Sequence, residues 1–117
     1  MTPAPIKPAI SMDDLDKLDV RAGTIRAVSD VEGSRKLVQM EVDFGDHRRT
    51  ILAGMKGERE DPTEIVGQQA LFVVNLPPRK MAGVLSEGML FDIGYADGVT
   101  PVLAVTENPV PDGSRAG

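Results

Sequence analysis

The sequence contains no cysteine, no tryptophan and a single histidine, His47. The lack of cysteine excludes disulfide bonds, thiolate nucleophiles and cysteine-based zinc sites, and it suits a reducing compartment. His47 has no second histidine or cysteine to act with, and neither G-x-S-x-G nor G-x-x-x-x-G-K-[ST] occurs. We therefore predict a protein without catalytic activity, without a metal ion and without a cofactor, and a solvated turn position for His47.

Long apolar runs are also missing, and no stretch approaches the roughly 20 apolar residues that a bilayer requires. The N-terminus lacks the basic and apolar regions of a secretory signal, so we expect a cytoplasmic protein with no membrane contact. Three prolines within residues 1–8 favour a flexible arm over residues 1–10. The length of the remainder, residues 11–117, predicts one domain.

The net charge is -5, although proteins that bind nucleic acids commonly carry a basic surface. The positive charges are concentrated, however, because three dibasic pairs occur: Arg35-Lys36, Arg48-Arg49 and Arg79-Lys80. Spacing alone leaves two alternatives open, scattered solvated charges or a basic patch on one face. Convergence of these pairs would be needed for nucleic-acid binding.

Alternating apolar residues give the clearest secondary-structure signal. Val38, Met40, Val42 and Phe44 alternate with polar residues and predict a half-buried strand. Gly45-Asp46 fits a tight turn, and a return strand is predicted at about 48–53. Two helical segments are predicted, a helix at about 12–18 capped by Ser11 and a helical turn over 62–66. Further strands are predicted over 20–28, with a bend or bulge at Gly23, over 70–74, where the strand is buried, and over 90–95 and 99–105, joined through Asp97-Gly98. From Pro109 onward we predict a free tail.

Five short strands with a helical turn between the third and fourth predict an all-β fold, a small Greek-key barrel with short helices. Only four phenylalanine or tyrosine side chains occur, and Phe44 and Phe72 fall on predicted core positions. Too few aromatic rings therefore remain outside the core to stack the bases of a single strand, and structured RNA suits this chain better as a ligand than single-stranded RNA does.

Residues 75–89 combine prolines, a dibasic pair, polar side chains and methionines between two strands. Arg79 and Lys80 suit phosphate contacts, Asn75 and Ser86 suit base or ribose contacts, and Met89 suits apolar contact with an unstacked base. The alternative is a barrel crossover whose methionines fill gaps in the core. The pattern alone leaves both interpretations open.

The run VVNLPPRKMAGVLSEGM, Val73 to Met89, resembles the signature of a tRNA-binding domain. This family includes the C-terminal domain of methionyl-tRNA synthetases, free-standing tRNA-binding proteins and factors of the endothelial-monocyte-activating-polypeptide type. The segments LDKLDVRAGTI, VEGSRKLVQMEVDFG and PTEIVGQQ agree with it in order and spacing. The resemblance implies a five-stranded OB-fold over residues 11–117, non-catalytic recognition of tRNA by shape, and a homodimer that assists an aminoacyl-tRNA synthetase in trans.

Carried over by position, the resemblance implies a specific set of RNA contacts. The set is Asn75, Arg79, Lys80, Ser86, Glu87 and Met89, with Lys36, Arg48 and Arg49 as contacts to the RNA backbone. It also implies that residues 109–114 are ordered and take part in strand pairing or dimer contacts, against the free tail predicted from composition. The turn Val31 to Arg35 departs from the His-Pro-Asn-Ala-Asp form of many relatives.

A related branch, the CsaA-type export chaperones, shares the scaffold and is credited with binding unfolded polypeptides. Six methionines and the negative charge favour this alternative, because methionine side chains can line an adaptable groove. Those chaperones resemble this chain less at Ser86 to Met89. The alternative function is therefore an export chaperone for unfolded polypeptides.

Overall fold

The predicted strands form a curled antiparallel sheet in the computed structural model, which describes residues 2–117. The strands are β1 (Val20–Asp30), β2 (Val38–Asp43), β3 (Arg48–Ala53), β4 (Gln69–Val73), β5 (Arg79–Met81), β6 (Val84–Ser86), β7 (Met89–Leu90), β8 (Asp92–Ile93), β9 (Val102–Leu103) and β10 (Arg115–Ala116). Five of them follow one another in the order β3-β2-β1-β4-β7, and β10 pairs with the N-terminal end of β1. Two further pairs, β5 with β6 and β8 with β9, lie outside this path.

Hydrogen bonds from β3 to the end of β6 and to the residues between β6 and β7 bring the two edges of the sheet together. The Glu87 amide donates to the Thr50 carbonyl over 2.8 Å. The Leu52 amide donates to Ser86 Oγ over 3.0 Å. The all-β fold and its five-stranded barrel are thereby confirmed.

The core fills the concave side of this sheet. In β2, the side chains of Val38, Met40 and Val42 are buried, whereas the polar residues between them are half-buried, as the alternation predicts. Phe44 and Phe72 meet edge to face with ring centroids 5.7 Å apart. Both rings occupy their predicted core positions.

Gly23 allows β1 to approach the core closely. A Cβ atom at Gly23 would lie 2.6 Å from Val42 Cγ1 and 2.8 Å from the Phe44 ring. The irregularity in the pairing of β1 with β2 lies between Ile25 and Ala27, and not at the glycine. The bulge therefore lies beyond the predicted position, two to four residues further along the strand.

The helices are shorter than predicted. The N-terminal helix α1 spans Met12–Leu15, where Ser11 Oγ accepts from the Asp14 amide over 3.1 Å. It buries no side chain, so no packing extends it to residue 18. The predicted helical turn is a 3₁₀ helix over Pro62–Ile65 that buries Ile65. No helix within residues 2–117 has the length and hydrophobicity to span a membrane.

The predicted strands over 90–95 and 99–105 are wrong in extent. The chain forms only the short strands β7, β8 and β9 there, with a 3₁₀ helix over Tyr95–Asp97 between the last two. Gly94 and Gly98 flank this helix with φ of 110° and 69°. These left-handed conformations end the extended backbone on each side. The hairpin of β5 and β6 was not predicted.

The C-terminal segment is docked and not free. Asp112 Oδ1 accepts from Thr24 Oγ1 over 2.6 Å and from Gln69 Nε2 over 3.0 Å. Beyond it, β10 pairs with Val20 and Arg21 of β1. The free tail predicted from composition is therefore wrong, and the ordered segment implied by the family resemblance is confirmed.

Candidate nucleic-acid interface

A broad groove of about 1190 Å³ opens at one end of the barrel. Four parts of the chain line it: the β1–β2 loop, the loop after β3, the β5–β6 hairpin, and the region from β7 to β9. Apolar side chains such as Leu37, Leu52, Met81 and Leu103 make up much of its wall. The groove thus joins segments that are far apart in the sequence.

Three unpaired cations, which we call the basic rim, line this groove: Arg35, Lys36 and Arg79. All three are exposed, and none forms an ion pair within residues 2–117. Arg59 also lines the groove, but it is bound to Glu64 at 2.7 Å. Two of the three dibasic pairs therefore contribute to one surface.

The β1–β2 loop that carries Arg35 and Lys36 is fixed by local hydrogen bonds. Ser34 Oγ accepts from the Leu37 amide over 3.0 Å, and the Ser34 carbonyl accepts from Lys56 Nζ over 2.7 Å. The sequence Ser34-Arg35-Lys36 thus supplies both a turn-forming hydroxyl and two cations. These hydrogen bonds fix the positions of Arg35 and Lys36 in the loop.

Arg48 and Arg49 lie away from the groove. The Arg49 guanidinium donates to the carbonyls of Val74, over 2.7 Å, and Glu87, over 3.1 Å, and to His47 Nε2 over 3.0 Å. Arg48 stands 3.9 Å from Asp43. Arg49 therefore ties β3 to two neighbouring segments.

Lys80 does not line the groove either, although Arg79 and Met81 on each side of it do. Side chains alternate across a strand, so the residue between two groove-lining positions faces the opposite side. Lys80 is paired in register with Leu85, which is 51% exposed. The Arg79-Lys80 pair is thus divided between two faces of the hairpin.

The polar residues of the signature are mostly engaged within the protein. Asn75 accepts from the Asp19 amide over 3.0 Å and donates to the Lys17 carbonyl over 2.6 Å. Ser86 is buried and donates to the Gly88 carbonyl over 3.1 Å, besides accepting from β3. Glu87 accepts from the Thr50 amide over 3.2 Å. Of this cluster, Arg79 and the half-exposed Met89 face the groove, and Ser86 contributes to its wall.

His47 occupies the predicted turn but is not simply solvated. Its ring stacks on Phe44 at 5.6 Å, and Nδ1 lies 2.6 Å from Asp46. The hydrogen bond with His47 holds the pKa of Asp46 below its usual value. No group of three or more His, Cys, Asp or Glu side chains suited to a metal ion occurs among residues 2–117.

Sequence reasoning missed the carboxylates and the aromatic rings of the groove, which are Glu58, Asp92, Phe91 and Tyr95. The two rings are 44% and 71% exposed, so this groove does offer aromatic surface. Each of the four comes from a segment without a motif, and only the fold brings them together. No local signal in the sequence identifies them.

A family described as "Putative tRNA binding domain" matches residues 20–115. Methionine–tRNA ligase of Parabacteroides distasonis is 40% identical over 111 residues, which are 95% of this chain and 16% of that protein. Methionine–tRNA ligase of Chlorobium luteolum is 44% identical over 87 residues, 74% of this chain and 12% of that protein. The chain therefore spans about a sixth or less of these relatives.

Solved structures with the same fold include proteins of similar size. The MetRS related protein from Pyrococcus horikoshii has a TM-score of 0.86 and 32% identity, covering 95% of this chain and 100% of that one. The chaperone CsaA from Bacillus anthracis has a TM-score of 0.80 and 27% identity, covering 94% of this chain and 100% of that one. A MetRS related protein and a chaperone thus share this fold, so the fold by itself does not distinguish the two functions.

Proposed function

The chain belongs to the tRNA-binding domain family, and we propose that it acts as a free-standing, non-catalytic protein that binds tRNA through the basic rim of its groove. The observation that carries this proposal is the basic rim itself, Arg35, Lys36 and Arg79. Cations that are exposed and unpaired on one surface attract phosphates even when the net charge is negative. The full-length coverage of the Pyrococcus protein supports a free-standing role.

The proposal divides the signature residues by role. Lys36, Arg79 and Met89 contact the RNA at the groove, together with Arg35. Asn75, Ser86, Glu87 and Arg49 hold the segments that present these contacts, because their side chains bind backbone groups of neighbouring segments. Lys80 and Arg48 contribute weaker phosphate contacts at the edge of the bound RNA.

We expect tRNA binding to weaken steeply as salt increases. Phosphate contacts release counterions, and each contact adds roughly 0.7 to 0.9 to the negative slope of log affinity against log salt. A gel-shift titration with bulk tRNA at low and moderate salt measures this slope. Absence of binding at low salt, or an affinity that is independent of salt, would contradict the proposal.

The proposed setting is the cytoplasm, where the protein assists an aminoacyl-tRNA synthetase in trans. Support comes from the curated relatives, in which the matching segment is part of a methionine–tRNA ligase. A separate chain carrying the same domain can deliver tRNA to a synthetase only where both are present. Pull-down of a synthetase with tagged protein, with and without ribonuclease, tests this part.

We also propose a homodimer, because large apolar side chains are exposed outside the groove, on β8 and after β9. Ile93 and Val105 are each more than half exposed and do not line the groove. Exposed apolar side chains of this kind are typical of an interface between subunits. Light scattering is expected to give twice the 12.5 kDa mass of one chain, and Ile93→Glu is expected to yield monomers. A monomeric wild-type protein would overturn the dimer but not the tRNA proposal.

An export chaperone that binds unfolded polypeptides is the second candidate function. It is favoured by the apolar wall of the groove and by the likeness to the CsaA structure. An aggregation assay with an unfolded client, run beside the tRNA titration, separates the two. Suppressed aggregation without tRNA binding would favour the chaperone.

A further inference from the structure

Two acidic side chains, Glu58 and Asp92, line the groove whose rim is basic. Both are half-buried, and neither carboxylate accepts a hydrogen bond or forms an ion pair within residues 2–117. Burial, and next the negative charge of Asp92, raise the pKa of Glu58 above its usual value. Both carboxylates are therefore partly shielded from solvent and have no donor within residues 2–117.

Partial burial weakens the hydration of a carboxylate, and N–H or O–H donors of a ligand would replace the lost hydrogen bonds. Helix capping and hydrogen bonds, which hold many other carboxylates of residues 2–117, do not hold these two. Asp61, for example, caps a 3₁₀ helix by accepting from the Thr63 amide over 3.0 Å. Glu58 and Asp92 have no equivalent role in the fold.

The other side chains of the groove indicate which ligand would supply such donors. Phe91 and Tyr95 are 44% and 71% exposed and line the same groove, so they offer faces on which a base can stack. Arg35, Lys36 and Arg79 line it with phosphate-binding groups. A ligand with a flat ring, N–H donors and a phosphate matches all three features. An unpaired nucleotide has this chemistry.

We propose that the groove takes one unpaired nucleotide of the bound RNA and reads its base through the Glu58 carboxylate, with a preference for guanine. Guanine N1–H and N2–H point in the same direction and match the two oxygens of a carboxylate. Uracil, in contrast, presents a carbonyl on each side of its single N–H, which a carboxylate repels. This inference rests on the proposed function and adds base selectivity to recognition by shape.

The test is an NMR titration of the full chain with nucleoside monophosphates, followed through the methyl signals of Met81 and Met89 in the groove wall. Guanosine monophosphate is expected to bind about tenfold more tightly than uridine monophosphate, the selectivity of one good bidentate contact. Inosine monophosphate, which lacks the N2 amino group, is expected to fall between them. Tyr95→Ala is expected to weaken all three alike.

Glu58→Gln is expected to remove the guanine preference, because the amide keeps the shape but only one acceptor. Glu60→Gln is the matched control, since Glu60 is exposed, lies two residues away and does not line the groove. Thermal unfolding of both variants checks that the fold is retained. A preference that survives in Glu58→Gln, or is lost equally in Glu60→Gln, would overturn the inference.

The tRNA titration, run in parallel, distinguishes failure of the inference from failure of the proposed function. Salt-dependent tRNA binding with equal affinity for guanosine and uridine monophosphates would overturn base reading and leave tRNA binding intact. A Glu58-dependent guanine preference without tRNA binding would keep the nucleotide site and remove the proposed function.

Discussion

Replacement of Arg35, Lys36 and Arg79 by glutamate is expected to lower tRNA affinity by about 100-fold at moderate salt, because three phosphate contacts become repulsive. These side chains are exposed and take part in no ion pair within residues 2–117, so the fold should be retained. Gel-shift titrations at several salt concentrations measure both the affinity and its salt dependence. The salt slope is expected to fall by about two to three as those contacts are lost.

Two controls separate position from total charge. Lys7→Glu, Lys17→Glu and Arg115→Glu together change the net charge by the same amount outside the groove, and we expect only a small loss of affinity. Arg79→Glu is expected to have a larger effect than Lys80→Glu, because only Arg79 lines the groove. Equal losses in the two triple variants would show that binding depends on net charge and would place the interface elsewhere.

The N-terminal half of the barrel could be predicted because its signals are local. Strict alternation gives β2, a glycine turn follows, and β3 has the predicted bounds, Arg48–Ala53. Beyond Val74 the strands are only two or three residues long, and left-handed glycines separate them. Patterns of this length have no usable periodicity, so the hairpin escaped prediction, and the docked C-terminal segment was implied only by the family resemblance.

The candidate site could be predicted in part, for a different reason. A sequence identifies polar side chains in a signature but not whether they face a ligand or the backbone. Asn75 and Ser86 bind backbone groups, whereas Arg79 and Met89 face the groove. Glu58 and Tyr95 join the groove from segments without any motif, through contacts that only the folded barrel creates. Whether the implied RNA contacts are made stays a prediction.

Gly113→Ala is expected to destabilise the protein by about 3 kcal/mol, the sum of a left-handed backbone and a steric clash. Gly113 has φ of 89°, and a Cβ atom there would overlap the Phe44 carbonyl oxygen. The segment cannot move away easily, because the Gly113 amide donates to the Ala22 carbonyl over 2.8 Å and the Ala22 amide donates to the Ser114 carbonyl over 2.9 Å. Urea unfolding measures the cost, and faster exchange of the Ala22 amide would locate it at the docked C-terminal segment.

Gly98→Ala is the matched control for the clash. Gly98 has φ of 69°, but no atom lies within 4 Å of the position that its Cβ would take. This variant therefore carries only the backbone strain, about 1 kcal/mol. The difference between the two variants isolates the packing of residues 109–114 against β1 and the β2–β3 turn. Equal destabilisation would mean that the protein relieves this clash at little cost and that the segment adds little to the stability of the barrel.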